Sequence, residues 1–435
     1  MRLDEYLEGF ERDEAAERRR LAREKSYGIT QYLDEVEDRF SEALSGDSLV
    51  GSTAPSIFVG HSNYPKVSTG LLSPVGDEER ASEYATDSAW YRQGLSIDDV
   101  VQRRTGLLNA NRFTDVRDAG LDTTARGIES PNVHDVWNGF VGTQREVAIA
   151  DRPVGVEIGL SDSRLDFDFP DGDTAAPRGP RTGAESATLT ENPHVPRPVE
   201  KTLEDDDWRA EGAMTYLYRR GFDVYEINRI LSAGALGEAE SRRLVPTRWS
   251  ITAVDDTVGK FLRGSIRSNP SVDETRVFSS EYMGNRYWAI LTPGNWEFEL
   301  VEMKAPGSVW NPVGSEVWIA SDHEGYEGRT GYVDGGTAGA YYATRLAALE
   351  YLDSIGRQAK VLVLRHVSEE YWAPVGVWQI RESVRDAFEG ESGVAETFHG
   401  AVQGIEPHLP ISTGELRRSS ELVAGVQASL ADFST

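Results

Sequence analysis

The chain has 435 residues, a formal net charge of -27 and no cysteine. Its length calls for two or three structural units rather than one core. The charge opposes simple electrostatic grip on a DNA backbone except through local patches, and the missing cysteines exclude disulfides, thiol nucleophiles and cysteine-ligated zinc.

Lysine occurs only at Lys25, Lys66, Lys201, Lys260, Lys304 and Lys360, so arginine supplies most of the positive charge. Many carboxylates with few lysines suit a cytoplasm at molar salt, where the Debye length of about 3 Å screens self-repulsion. No apolar run approaches the ~20 residues that span a bilayer. The opening "MRLDEYLEGFERDEAAERRR" has no secretory apolar core. These features predict a soluble, cytoplasmic protein with no membrane partner.

Residues 1–50 read as charged N-terminal helices, with Leu3, Tyr6 and Phe10, then Tyr32, Leu33, Val36 and Phe40, at helical spacings. They either rest a narrow stripe on the body or offer "ERRRLAREK" to nucleic acid. A core over 51–400 follows. "APSIFVGHSNYPKVSTGLLSP" reads as a strand and a turn, and the Asp- and Pro-rich 166–200 region as a long loop that could subdivide the core. "TENPHVPRPVEK" is expected to be extended and stiff, projecting Arg197 and Lys201.

"WRAEGAMTYLYRRG" and "DVYEINRILSAG" predict two helices stopped by glycine. "RYWAILTPGNWEFELVEM" suggests a hairpin through Pro-Gly-Asn, "AYYATRLAALEYLDSIG" a helix, "AKVLVLRHV" a buried strand, and "VGVWQIRESVRDAF" a strand running into a helix. The mixed order predicts an α+β body with antiparallel hairpins. Residues 401–435 read as a polar tether carrying a terminal motif. In "QASLADFST", Gln427, Leu430 and Phe433 lie three apart, so one tight helical turn places two apolar prongs beside an amide. That motif docks on the protein's own body or on a partner.

Asp255 and Asp256 are the first carboxylates to consider for chemistry, but neighbours on one helix diverge by about 100° and clamp a metal only with outside help. Glu297, Glu299 and Glu302 could supply it, and Glu302 with Lys304 has the acid-x-Lys spacing of one class of magnesium-dependent nucleases. The glycine-bearing loop before the helix at Tyr341 matches neither phosphate fingerprint. Tyr326, Arg329, Tyr341 and Arg345 could instead stack on and pair with a nucleotide or strand. The seven histidines are scattered and form no zinc or triad pattern.

Taken together, "FVGHSNYPKVSTG", "TENPHVPRPVEK", "VPTRWSITAVDD", "EYMGNRYWAILTPGNWEFE", "EGYEGR", "RQAKVLVLR" and "PVGVWQIRESVR" resemble the archaeal Nre family of DNA repair proteins, from about residue 50 to 390. The resemblance implies a role in DNA damage repair and binding of the replicative sliding clamp (PCNA) through a C-terminal peptide. In the family pattern that peptide is Gln, two free positions, an aliphatic residue, two more, then aromatics. Gln427, Leu430 and Phe433 match it, while Ser434 stands where a second aromatic is usual. Many members also carry a four-cysteine zinc module, which this cysteine-free chain lacks.

The leading expectation is a repair factor that reaches DNA directly or through the clamp. Two rivals stay open. One is a magnesium-dependent enzyme using Asp255, Asp256, Glu297, Glu299 and Glu302, and the other is a nucleotide or single-strand binding module using Arg248, Arg286, Arg329 and Arg345. Apart from magnesium under the enzyme reading, the residues name no cofactor.

Overall fold

A computed structural model describes residues 44–45, 47–74, 78–117, 139–161, 166, 177–333 and 335–425. The helices expected before residue 44 and the motif of Gln427, Leu430, Phe433 and Ser434 lie outside the described residues. Among the described residues the chain is α+β, with two mixed sheets and helices between and around them.

The first half builds a seven-stranded sheet from β1 (Leu44–Ser45), β2 (Ser48–Ser52), β3 (Ile57–Val59), β4 (Lys66–Pro74), β5 (Leu107–Asp115), β6 (Gly155–Leu160) and β7 (Arg181–Leu189). Their order is β1-β2-β6-β7-β5-β4-β3, and every neighbouring pair is antiparallel except β5 with β7. Helices α1 (Ala89–Arg92), α2 (Ile97–Thr105) and α3 (Gly139–Ile149) accompany it. Ser96 and Asp99 form a reciprocal cap at the start of α2. Leu49, Val67, Leu71, Leu108, Val156 and Ile158 meet Phe140, Val147 and Ala148 of α3 in one core.

Residues 44–45 and 48–52, expected partly as helix, are strands, and "RTGAESATL", expected as loop, is β7. Alternation explains β7: Thr182, Ala184 and Ala187 are buried while Glu185, Ser186 and Thr188 are exposed. The small apolar residues gave too weak a pattern to distinguish a strand from a polar loop.

The second half begins with helices α4 (Arg197–Glu204), α5 (Ala210–Arg219), α6 (Val224–Ser232) and α7 (Thr247–Ile266). Arg197, expected in an extended strap, opens α4, with proline in the first turn where no amide is needed. Strands β8 (Thr275–Tyr282), β9 (Asn285–Thr292), β10 (Glu297–Lys304), β11 (Trp318–Glu324), β12 (Lys360–Val367) and β13 (Gly393–Ala395) form the second sheet, in the order β11-β10-β12-β9-β8-β13.

The hairpin expected through Pro293-Gly294-Asn295 does not form, because β12 pairs between β9 and β10, antiparallel to one and parallel to the other. A strand as apolar as β12 is stable only with both faces and both edges covered, and the gap between β9 and β10 supplies that.

One sheet face presents Tyr287, Ala289, Leu291, Phe298, Leu300, Val361 and Val363 to α7, α8 (Ala338–Ser354) and α9 (Val377–Glu389). No strand precedes α9: Gly376 sits at φ +98°, a conformation that favours glycine, and the helix starts at the next residue. The other face presents Trp288, Ile290, Val301, Met303, Leu362 and Leu364 to α10 (Phe398–Ile405), α11 (Thr413–Ser419) and α12 (Glu421–Ala424). Residues 398–424, expected largely as tether, are therefore folded against the body. Burial of side chains such as Val402, Ile405, Leu416 and Leu422 holds them there, at about 1.5–3 kcal/mol each.

Candidate functional site

Alternation along β10 decides where the predicted carboxylates go. Glu297 and Glu299 share the face of Val301 and Met303, toward the C-terminal helices, while Glu302 and Lys304 share the opposite face with Phe298 and Leu300. Glu297 pairs with Lys360 at 2.6 Å and His323 at 3.0 Å. Although burial opposes it, these partners hold its carboxyl below the usual range.

Glu299 is buried and accepts hydrogen bonds from Ser420 Oγ (2.6 Å), Glu421 N (2.7 Å) and Leu422 N (2.9 Å). It fastens the start of α12 to the sheet. Burial raises its pKa despite those bonds. Glu302 is also buried, bonded to Arg365 and 3.2 Å from Lys304 Nζ. Among the described residues, no group of three or more His, Asp or Glu side chains is arranged to hold a metal ion.

Asp255 and Asp256 diverge on α7 as helical geometry requires, and each enters a different polar site. Asp256 takes Lys260 at 2.7 Å and Arg345 Nη1 at 3.6 Å. Arg345, buried, gives its Nε to Glu324 at 2.7 Å, and Glu324 also accepts from Trp296 Nε1 at 2.9 Å. Arg329 donates to the His323 carbonyl at 2.9 Å and lies 3.3 Å from Asp322. This network surrounds a space of about 50 Å³. A water's share of liquid volume is about 30 Å³, so a nucleotide cannot enter.

Arg345 and Arg329 thus line one small space with Asp256, but their partners are carboxylates and a carbonyl. Arg286 is exposed elsewhere, paired with Glu281 at 2.8 Å. Arg248 is exposed in the first turn of α7, beside Trp249, whose ring centre lies 5.1 Å from that of Tyr64. The four arginines predicted for nucleic acid do not line one surface groove.

Asp255 turns the other way, into a cleft of about 340 Å³ between the two halves. It accepts two hydrogen bonds from Arg381 Nη2, at 2.8 and 2.5 Å. Five arginines line the cleft, Arg104, Arg178, Arg181, Arg229 and Arg381, against three carboxylates, Asp87, Glu226 and Asp255. The local balance is positive in a strongly acidic chain. Arg229 is held by the carbonyls of Ala148 (2.7 Å) and Ala150 (2.6 Å). Glu226 closes a reciprocal cap with Asp223 at the start of α6, and burial raises its pKa.

Arg104 and Arg178 differ from the rest. Arg104 gives one N-H to the Val375 carbonyl at 2.7 Å and lies over the Trp90 ring. Arg178 lies over the Phe58 ring at 5.5 Å. Neither has a carboxylate partner within ion-pair distance among the described residues. Burial pushes the Arg104 guanidinium down to about 10, and the nearby charge of Arg178 acts in the same direction.

Sequence reading missed this cleft because its arginines come from α2, the 177–181 segment, α6 and α9. The one local signal was "PRGPRTG", where Gly179 is required: a side chain there would place its Cβ 1.7 Å from the Leu107 carbonyl. That close approach lays the segment against β5.

Fold and cleft define an α+β protein made of two sheet-and-helix halves around an arginine-lined cavity. The chain belongs to the archaeal Nre family: the model described as Archaeal Nre, N-terminal, matches residues 21–311, and Archaeal Nre, C-terminal, matches residues 324–433. The two matched stretches share the second sheet, since β10 in the first pairs with β12 in the second. Over 435 residues, all of both chains, it is 62% identical to DNA repair protein NreA of Haloferax volcanii. Its identity is 38% to DNA repair protein NreA of Archaeoglobus fulgidus, covering 84% of this chain and 86% of that one. DNA repair protein NreB of the same organism is 34% identical, covering 88% and 92%. No solved structure matches the chain.

Proposed function

We propose that this protein is a DNA repair factor that reaches DNA by holding the sliding clamp (PCNA) through residues 427–435. The repair role follows the names of its relatives. The observation that carries the clamp reading is the spacing of Gln427, Leu430 and Phe433 immediately after an anchored surface exit. Glu299 fixes the start of α12, whereas Ala424 and Gly425 are exposed, so the chain leaves the body at its surface.

In the bound state Gln427 fills a polar pocket of the clamp while Leu430 and Phe433 enter an apolar one. Burying the two apolar side chains contributes about 1.5–3 kcal/mol each, against association costs of several kcal/mol, which gives weak to moderate affinity. The composition favours this route, since molar salt weakens phosphate contacts and strengthens apolar burial. The reading places the protein in a high-salt cytoplasm.

Deleting residues 427–435 is expected to abolish co-purification of the clamp and leave the unfolding transition unchanged. Equal clamp binding by the truncated chain refutes the reading. Ser434→Phe restores the second aromatic and should tighten clamp binding about tenfold, measured by titration calorimetry.

A further inference from the structure

The 340 Å³ cleft combines features that the clamp reading does not use. Its volume falls in the range of small-molecule sites, about 300–1,000 Å³, and far exceeds that of a bare phosphate. Two arginines reach it without a carboxylate, and a third, Arg381, is buried with an Nε that has no hydrogen-bond partner. Arginine forks bind phosphate oxygens in pairs, and leaving several cations together without an anion is costly. Gly376 lies against Arg104, where a Cβ would meet Nη2 at an ordinary contact distance of 3.5 Å. The wall also carries apolar and aromatic side chains, including Phe58, Leu72, Leu107 and Trp378, beside the polar Asn109 and Asn228.

We propose that this cleft binds one nucleotide unit, its phosphate held by Arg104 and Arg178 and its base lying on the apolar wall. An anion alone needs only the guanidinium pair; the additional enclosed apolar volume suits a flat ring attached to it. The unit comes either from a free nucleoside monophosphate or from the 5′-phosphorylated end of a single strand, which present the same chemistry to the cleft. The inference is independent of clamp docking and survives removal of residues 427–435.

The test is titration calorimetry on the full chain with deoxyadenosine monophosphate, inorganic phosphate, deoxyadenosine and a 5′-phosphorylated oligodeoxynucleotide. The monophosphate, the oligonucleotide or both should bind saturably, at least tenfold more tightly than inorganic phosphate or deoxyadenosine. Whichever of the two binds more tightly identifies the source. R178E should weaken that binding at least tenfold, and R276Q, on an exposed position of β8, should not. Arg178 is exposed, so R178E should fold, and its thermal transition checks this; R104Q provides a second loss of binding. The proposal is overturned if neither nucleotide probe binds, if inorganic phosphate binds equally well, or if R178E leaves binding unchanged.

Discussion

Asp255 and Asp256 are adjacent on one helix, yet the polar sites they enter are built on opposite plans. Around Asp256 the buried guanidinium of Arg345 has carboxylates on two sides, and Glu324 serves both Arg345 and Trp296. Around Asp255 Arg381 is matched, while Arg104 and Arg178 face the cleft with a carbonyl and an aromatic ring for company. Arginine content alone therefore does not mark a binding site. The first arrangement braces α7, α8 and β11; the second holds charge in reserve for an outside anion.

The largest effect should come from breaking the matched side. Glu324→Ala leaves Arg345 buried beside one weaker partner, and should lower unfolding stability by about 3–5 kcal/mol in a denaturant titration. Arg178→Ala, on the unmatched side, should change stability by no more than about 0.5 kcal/mol. Similar losses in both would erase the distinction.

Glu299→Ala tests a matched carboxylate of a different kind. It removes a charged acceptor from two backbone amides and Ser420, costing about 1.5–3 kcal/mol, and should expose 413–425 to protease before the rest of the chain. Unaltered protection there would mean that apolar contacts alone hold α11 and α12.

The smallest expected effect concerns a half-buried imidazole. Burial, with Arg286 adding to it, lowers the pKa of His366 from its ordinary 6.5. As pH falls through 6.5 the unfolded chain takes up a proton before the folded one does, so stability should decline below that pH. H366N should flatten the stability difference between pH 7.5 and pH 5.5; an unchanged slope assigns the effect elsewhere.

Much of the helical fold was legible because α5, α6 and α8 repeat apolar residues at helical spacing and stop near glycine. Strand β12 was legible as buried, but its neighbours were not: local turn chemistry suggested that β9 pairs with β10, and only the distant β12 decides otherwise. The C-terminal helices were hidden because their few apolar residues gain meaning only against Trp288, Met303 and Leu364. At the site, the divergence of Asp255 from Asp256 followed from helix geometry. The cleft did not, since Arg104, Arg178 and Arg381 become neighbours only when the two halves close.

The most direct test of the contrast is hydrogen exchange on the full chain with and without deoxyadenosine monophosphate. Slowed exchange confined to the segments around Arg104, Arg178 and Gly376, with 324–345 unchanged, is the result expected. Protection centred on 324–345, or none anywhere, would contradict the assignment of the unmatched arginines to a ligand.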